Sequence, residues 1–365
     1  MSLISTETKA AGVARAIAVL GVTVGAACSS SPQGSPSGSP PDSADGSAPL
    51  ADDDAGIATS SNTNGGVVST PMTTGSVPTI GGCPVFPADN PWNTRVDDTT
   101  KYPVHAMWPT YMTTMNLSTQ LHPDWGDWST DHYGIPWQTV PATPPTVPMT
   151  FEYSDESDPG PYPFPPTARV EGGAGSGGDM HVLVVLMDDC SLYETYSSRF
   201  VGPGWSCGSG AKFDLASNAL RTDGWTSADA AGLPILPGLV KVSEVTAGAV
   251  NHAIRFTMDR TQQAYIHPAV HAAGKNDTTL PPMGLRLRLK ASFDLGAFGG
   301  ASKIVLTAMK EYGIILADNG SDWYMSGDSD DAWSPLMDAL VTDLAKVQGS
   351  DFEAVETGPI STAGL

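Results

Sequence analysis

The sequence predicts a mainly β domain, either a single sandwich or a distorted barrel, carrying a few helices and long Pro- and Gly-rich loops. Three observations lead there. Gly and Pro number 39 and 31 in 365 residues, which breaks a chain into short strands and turns. Several short segments alternate apolar and polar residues or are wholly apolar. Between them lie PATPPTVP (141–148) and DPGPYPFPP (158–166), whose prolines cannot join a sheet interior.

The N-terminal residues predict export. Lys9 and Arg15 supply positive charge, and 16–24 (AIAVLGVTV) form an apolar run too short to span a bilayer. Residues 1–27 therefore read as a signal peptide. GAACSS then offers Cys28 as a lipidation site, although Gly25 stands where Leu is usual, and ordinary cleavage after Ala27 is the alternative. Residues 28–82 are almost wholly Ser, Pro, Gly, Thr and Asp, a linker with no apolar periodicity from which to build a core. The expected globular region is 83–357, followed by a tail at 358–365.

Within that region, 181–186 reads as a buried strand, with a turn at Asp188-Asp189 and a returning strand. In HAIRFTM, Ile254, Phe256 and Met258 share one face. LRLRLK places Leu285, Leu287 and Leu289 inward and Arg286, Arg288 and Lys290 outward. YGIILAD (312–318) is a further strand. ASKIVLTAMKEY (301–312) predicts one helix; SPLMDALVTDLAKV (334–347) predicts another, with Ser334 as N-cap and Pro335 in the first helical position. In an exported protein Cys190 and Cys207 are a plausible disulfide, which leaves Cys83 either free or pairing with one of those two.

The charge narrows the partners. With 39 acids against 18 bases, a formal net charge of -21, the chain lacks the basic footprint that nucleic acid or an anionic membrane surface requires. Membrane contact is expected through a lipid anchor only. Neutral or cationic substrates suit such a surface.

Most candidate motifs carry little chemistry. GWSCG (204–208) matches the G-x-S-x-G of hydrolases, but a strand-like segment follows Ser206 where the nucleophile elbow needs a helix. EGGAGSGGD (171–179) lacks the ending of a phosphate loop and reads as a flexible loop. His267 and His271 stand four apart in HPAVH and could share a metal on a helix begun by Pro268, yet no third ligand is assignable, so no cofactor is expected. DESD and DSDDAW fit no EF-hand loop. Trp92, Trp108, Trp125, Trp128 and Trp137 divide between core and loops in a way the sequence leaves open.

The stretch SNALRTDGWTSADAAGLPILPG (217–238) is more informative. It brings Asp223, Asp229, Arg221 and Trp225 together, and TSADAAG looks like one capped helical turn stopped by Gly232. NHAIRF adds His252 and Arg255; ADNGSDWY adds Asp318, Asn319 and Trp323. Aromatic faces cover the apolar side of a sugar ring, and planar polar groups bridge its hydroxyls. Paired carboxylates in different environments serve as acid and base, or acid and nucleophile. The expectation is hydrolysis of a polysaccharide or oligosaccharide, with Asp223 and Asp229 as the carboxylate pair and Asp318 in reserve. Trp225, His252, Arg255, His271, Asn319 and Trp323 would hold the substrate. The alternative is a non-catalytic carbohydrate-binding or adhesive surface protein, dependent on its aromatic residues and indifferent to its carboxylates.

CPVFPADNPWN (83–93), SDPGPYP, NALRTDGWTSADAAGLPILPGLV, PPMGLRLRLKASFD and YGIILADNGSDWY together resemble a family of exported microbial proteins to which no reaction is attached. The resemblance covers nearly the whole domain. It implies one domain with a fold of its own and transfers no catalytic residue.

Overall fold

A computed structural model describes residues 76–141 and 144–365. The signal peptide, Cys28 and nearly all of the expected linker lie outside the described residues. Strands β1 (Thr79–Ile80) and β2 (Cys83–Pro84) form a small hairpin. A single turn, α1 (Trp108–Tyr111), leads to β3 (His122–Asp124), β4 (Trp137–Val140) and β5 (Met149–Phe151). Five strands follow: β6 (Val182–Leu186), β7 (Ser191–Tyr196), β8 (Arg199–Val201), β9 (Gly204–Cys207) and β10 (Ser209–Asp214). After α2 (Val242–Ala247) come β11 (Ile254–Met258), β12 (Gln262–Ile266), β13 (Pro282–Met283) and β14 (Arg286–Leu289). Helix α3 (Gly300–Glu311) precedes β15 (Ile314–Asn319) and β16 (Tyr324–Ser326). Helix α4 (Met337–Leu344) precedes β17 (Phe352–Val355) and β18 (Ile360–Ser361).

The domain is mainly β, sandwich-like, and its described sheets do not close into a barrel. The largest sheet runs β17-β14-β15-β11-β16-β3, and a second runs β10-β7-β6-β4. One large core packs Leu183, Val185 and Leu192 of the smaller sheet with Phe256, Leu287, Leu316 and Trp323 of the larger. A lesser cluster gathers Tyr162, Phe164, Val184 and Trp205 on the other side of β6. The alternation at 182–186 sends Val182 and Val184 to one core and Leu183 and Val185 to the other, as a strand's period of two requires.

Four expectations are corrected. Cys190 pairs with Cys83, with sulfurs 2.08 Å apart, and Cys207 is a buried free thiol on β9. A cross-link between β2 and the β6–β7 turn region ties the entry of the domain to its second sheet. Arg286 and Arg288 are buried instead of outward. The segment 91–102 covers that face of the sheet and supplies acceptors. Arg286 Nε–H donates to Tyr312 O at 2.8 Å and an Nη2–H to Thr94 O at 2.8 Å, while Arg288 reaches Glu353 and Tyr102 O. Burial lowers the Arg286 pKa to about 9. Helix α4 begins at Met337 with Leu336 as its N-cap, because Asp331–Trp333 forms a short 3-10 turn that absorbs Ser334 as its C-cap. Residues 358–365 are part of the fold: β18 pairs with β12, and Tyr265 donates its hydroxyl to Ala363 O at 2.9 Å.

Candidate functional site

The segment 217–238 folds without the helical turn expected at TSADAAG. The Arg221 guanidinium ties it to Asp158, Glu156 O and Thr226 O. Ser227 Oγ accepts the Asp229 N–H at 2.9 Å, and Gly232 takes φ of +70°, open to glycine at little cost. The chain thereby turns Asp229 inward, to complete burial. Further on, the N–H groups of Ile235 and Leu236 converge on the buried Glu194 carboxyl from β7. Burial raises Glu194 to about 8 against the pull of those two donors.

Asp229 is held by Arg255 of β11. Nε–H donates to Oδ2 at 2.9 Å and an Nη2–H to Oδ1 at 2.6 Å, a bidentate pair. The same Nη2 reaches Asp318 Oδ2 at 3.1 Å, and Nη1–H donates to Ser326 Oγ at 2.5 Å. Arg255 thus sets two carboxylates side by side. Asp229 is sealed, whereas the Asp318 side chain is 18% exposed. Burial first, and then the negative charge of Asp229, raise Asp318 well above the usual carboxylate range. Asp179 adds to that effect from the Gly-rich segment, and Glu171 at its other end acts electrostatically on Arg255.

Strand register explains why these groups meet. Thr257 of β11 lies opposite Asp318 on one side and Tyr324 on the other, and Tyr324 lies opposite His122 on the edge strand β3. Cross-strand partners share a face, so Asp318, Thr257, Tyr324 and His122 form one row. Arg255, Ser326 and Asp124 form the next. A bulge between Phe256 and Thr257 makes room for an extra residue, Ala317, and brings Asp318 into that polar row. Phe256, Trp323 and Met325 face the core.

The edge of this face is built from aromatic and polar groups. His122 stacks on Tyr324 with ring centroids 4.1 Å apart. Tyr133 hydroxyl donates to Asp124 Oδ1 at 2.7 Å and stands 2.9 Å from His122 Nε2. Burial and then Asp124 push the Tyr133 pKa up, beyond any physiological titration. Beyond it, Arg169 lies over Trp128, whose ring meets His132. Gly173 of the Gly-rich segment runs so close that a Cβ there would approach His132 to 3.3 Å. That segment therefore spans from the aromatic edge to the Asp318 end.

Of the residues singled out from sequence, the structure joins Asp229, Arg255 and Asp318. It separates Asp223, which is exposed and paired with His267 Nε2 at 2.9 Å. Asp223 and Asp229 share no hydrogen-bond partner among the described residues, so the expected pair is replaced by Asp229 with Asp318. His252 is buried, bonded to Glu244 and Ala253 O, and serves the core. Trp323 is fully buried between Phe256 and Phe352 and donates Nε1–H to Met115 O at 2.7 Å; the aromatic turned to the open face is Tyr324. Trp225 is half-buried, with its ring 5.8 Å from the Arg221 guanidinium. Asn319 braces Thr261 and Ala273 O, and His271 Nδ1 bonds Ala230 O at 2.6 Å. No helix carries His267 and His271: a cis peptide joins His267 to Pro268 just past the end of β12.

Sequence reading places His122 and Asp124 beside loop tryptophans that could line a carbohydrate cleft, gives Asp179 only as the end of a flexible loop, and misses Tyr133. Asp179 closes a glycine run directly before a strand, a position that could have been noticed. The other three become a unit only through strand pairing. No protein-family model, curated protein or solved structure matches the chain.

Proposed function

We propose that the protein is an exported, lipid-anchored glycan hydrolase whose general acid is Asp318. One observation carries this reading: a partly exposed carboxyl, set by Arg255 beside a sealed carboxylate, on a face lined by hydroxyl and aromatic groups; burial, and then that neighbour's charge, raise its pKa. Glycosidic cleavage needs a proton for the leaving oxygen, and a carboxylic acid with raised pKa supplies it at neutral pH. Asp229 is buried and held twice by Arg255, so its role is to position and poise Asp318. Asp179 is exposed and close enough to act on Asp318, and is assigned as the second carboxylate, the base that activates water. Acidic side chains surround the site, which favours neutral or amino sugars over uronic acids. Anchoring through Cys28 and the reach of the expected linker, which ends before β1 at Thr79, fit a polymer substrate outside the cell.

The test is release of new reducing ends by the full-length protein from plant, fungal and bacterial polysaccharides. Asp318→Asn and Asp179→Asn should each lower turnover on the order of 100-fold or more while polymer binding survives. Retention on a polymer without any cleavage would replace this reading with that of a binding protein.

A further inference from the structure

The hydrogen bonds around His122 have a defined direction. Tyr133 has one hydroxyl proton, and Asp124 Oδ1 at 2.7 Å takes it. The Tyr133 oxygen then accepts from His122, so the imidazole carries its proton on Nε2, 2.9 Å away. Nδ1 is left as a lone-pair acceptor, and no described residue is hydrogen-bonded to it. The ring is half-buried, clamped by Tyr324 and anchored on an edge strand whose flank has no further strand among the described residues. Asp124, Tyr133 and His122 therefore form a hydrogen-bonded chain that leaves the Nδ1 of a half-buried imidazole as an acceptor for a ligand.

We propose that His122 is a specificity-determining residue, binding a sugar hydroxyl at a subsite remote from the cleavage point. His122 and Asp318 sit in the same row at opposite ends, three strand spacings apart, about 14 Å. A substrate that reaches both must extend over more than one or two sugar rings. The subsite accepts a neutral hydroxyl donor; Asp124 behind it disfavours a carboxylate there. This inference rests on the glycan-hydrolase reading for its ligand class.

Two measurements separate the subsite from the hydrolysis. In full-length Asp318→Asn protein, histidine-labelled NMR should show His122 with its proton on Nε2. Neutral β-glucan and N-acetylchitin oligomers of two to six units are then added. The Nδ1 resonance should move with the hexamer of one series and barely with its dimer. In the cleaving enzyme, His122→Ala should raise KM for the hexamer about tenfold more than for the dimer, the loss of one hydrogen bond. Tyr133→Phe should move the same ratio in the same direction. Cleavage with a dimer-to-hexamer KM ratio unchanged in His122→Ala would overturn the subsite and leave hydrolysis standing. Movement of Nδ1 without cleavage of any polymer would overturn hydrolysis and leave the subsite standing. A proton found on Nδ1, or no response to any oligomer, would overturn the proposal.

Discussion

Replacing Asp229 with Asn tests the site at its most buried point. The side chains of Asp229 and Arg255 are 0% and 6% exposed, and two charge-assisted hydrogen bonds of 2.9 and 2.6 Å join them. Asn keeps one acceptor and turns an NH2 group toward a guanidinium N–H. Removing one partner of a buried ion pair costs about 3–5 kcal/mol. Asp318, still 3.1 Å from the same Nη2, offsets part of that, so the lower end, about 3 kcal/mol, is expected. For a domain of this size that lowers Tm by on the order of 10 °C. The second effect is on Asp318. Its raised pKa owes most to burial and next to the Asp229 charge. With that charge gone, Arg255 has Asp318 as its remaining counter-ion, and the Asp318 pKa falls. Two charges about 4 Å apart interact by about 4 kcal/mol at an effective dielectric of 20, so the fall is large enough for a titration to resolve. Scanning calorimetry reads the first effect, and carboxyl 13C shifts of Asp318 across pH read the second. Activity should retreat toward acid pH together with the Asp318 titration. A variant that melts within about 2 °C of the parent and leaves the Asp318 titration in place would refute the coupling.

Three other outcomes are expected. Non-reducing peptide mapping should recover Cys83 linked to Cys190, with Cys207 alkylated only after unfolding; Cys190→Ser, which opens a loop of 107 residues, should cost on the order of 4–5 kcal/mol, and a Cys190–Cys207 peptide would contradict the structure. Burial pushes the Glu244 carboxyl up, but Lys241 and His252 outweigh it and hold the pKa at about 2 against an ordinary 4.5. Its contribution to stability is thus present above about pH 4.5 and is lost as pH falls toward 2, and Glu244→Gln should flatten urea midpoints across that window; an unchanged slope would count against the pair. Trp323→Ala should cost about 3–5 kcal/mol, as a fully buried aromatic does, whereas Tyr324→Ala should weaken oligosaccharide binding with a smaller loss of Tm; the reverse pattern would mean that the strand faces have been exchanged.

Local chemistry alone determined the β class, the hairpin at 182–196, the strands at 254–258 and 314–319, and the helix at 300–311. Each is written in a period of two or of 3.6 that short-range sterics enforce. It also marked Asp229, Arg255 and Asp318 as candidate chemistry. Tertiary structure decided what those elements face. Arg286 and Arg288 alternate like solvent-facing residues, yet a segment nearly two hundred positions earlier lays its carbonyls over them. Trp323 and Tyr324 are neighbours in a strand-like run, and one residue of register sends the indole to the core and the phenol to the open face. Cys190 is 17 positions from Cys207 and 107 from Cys83, and folding brings it to the farther one. The polar rows from Asp318 to His122 and from Arg255 to Asp124 join four strands that are scattered along the chain. No local pattern encodes that, because strand pairing is settled by the packing of whole sheets around a shared core.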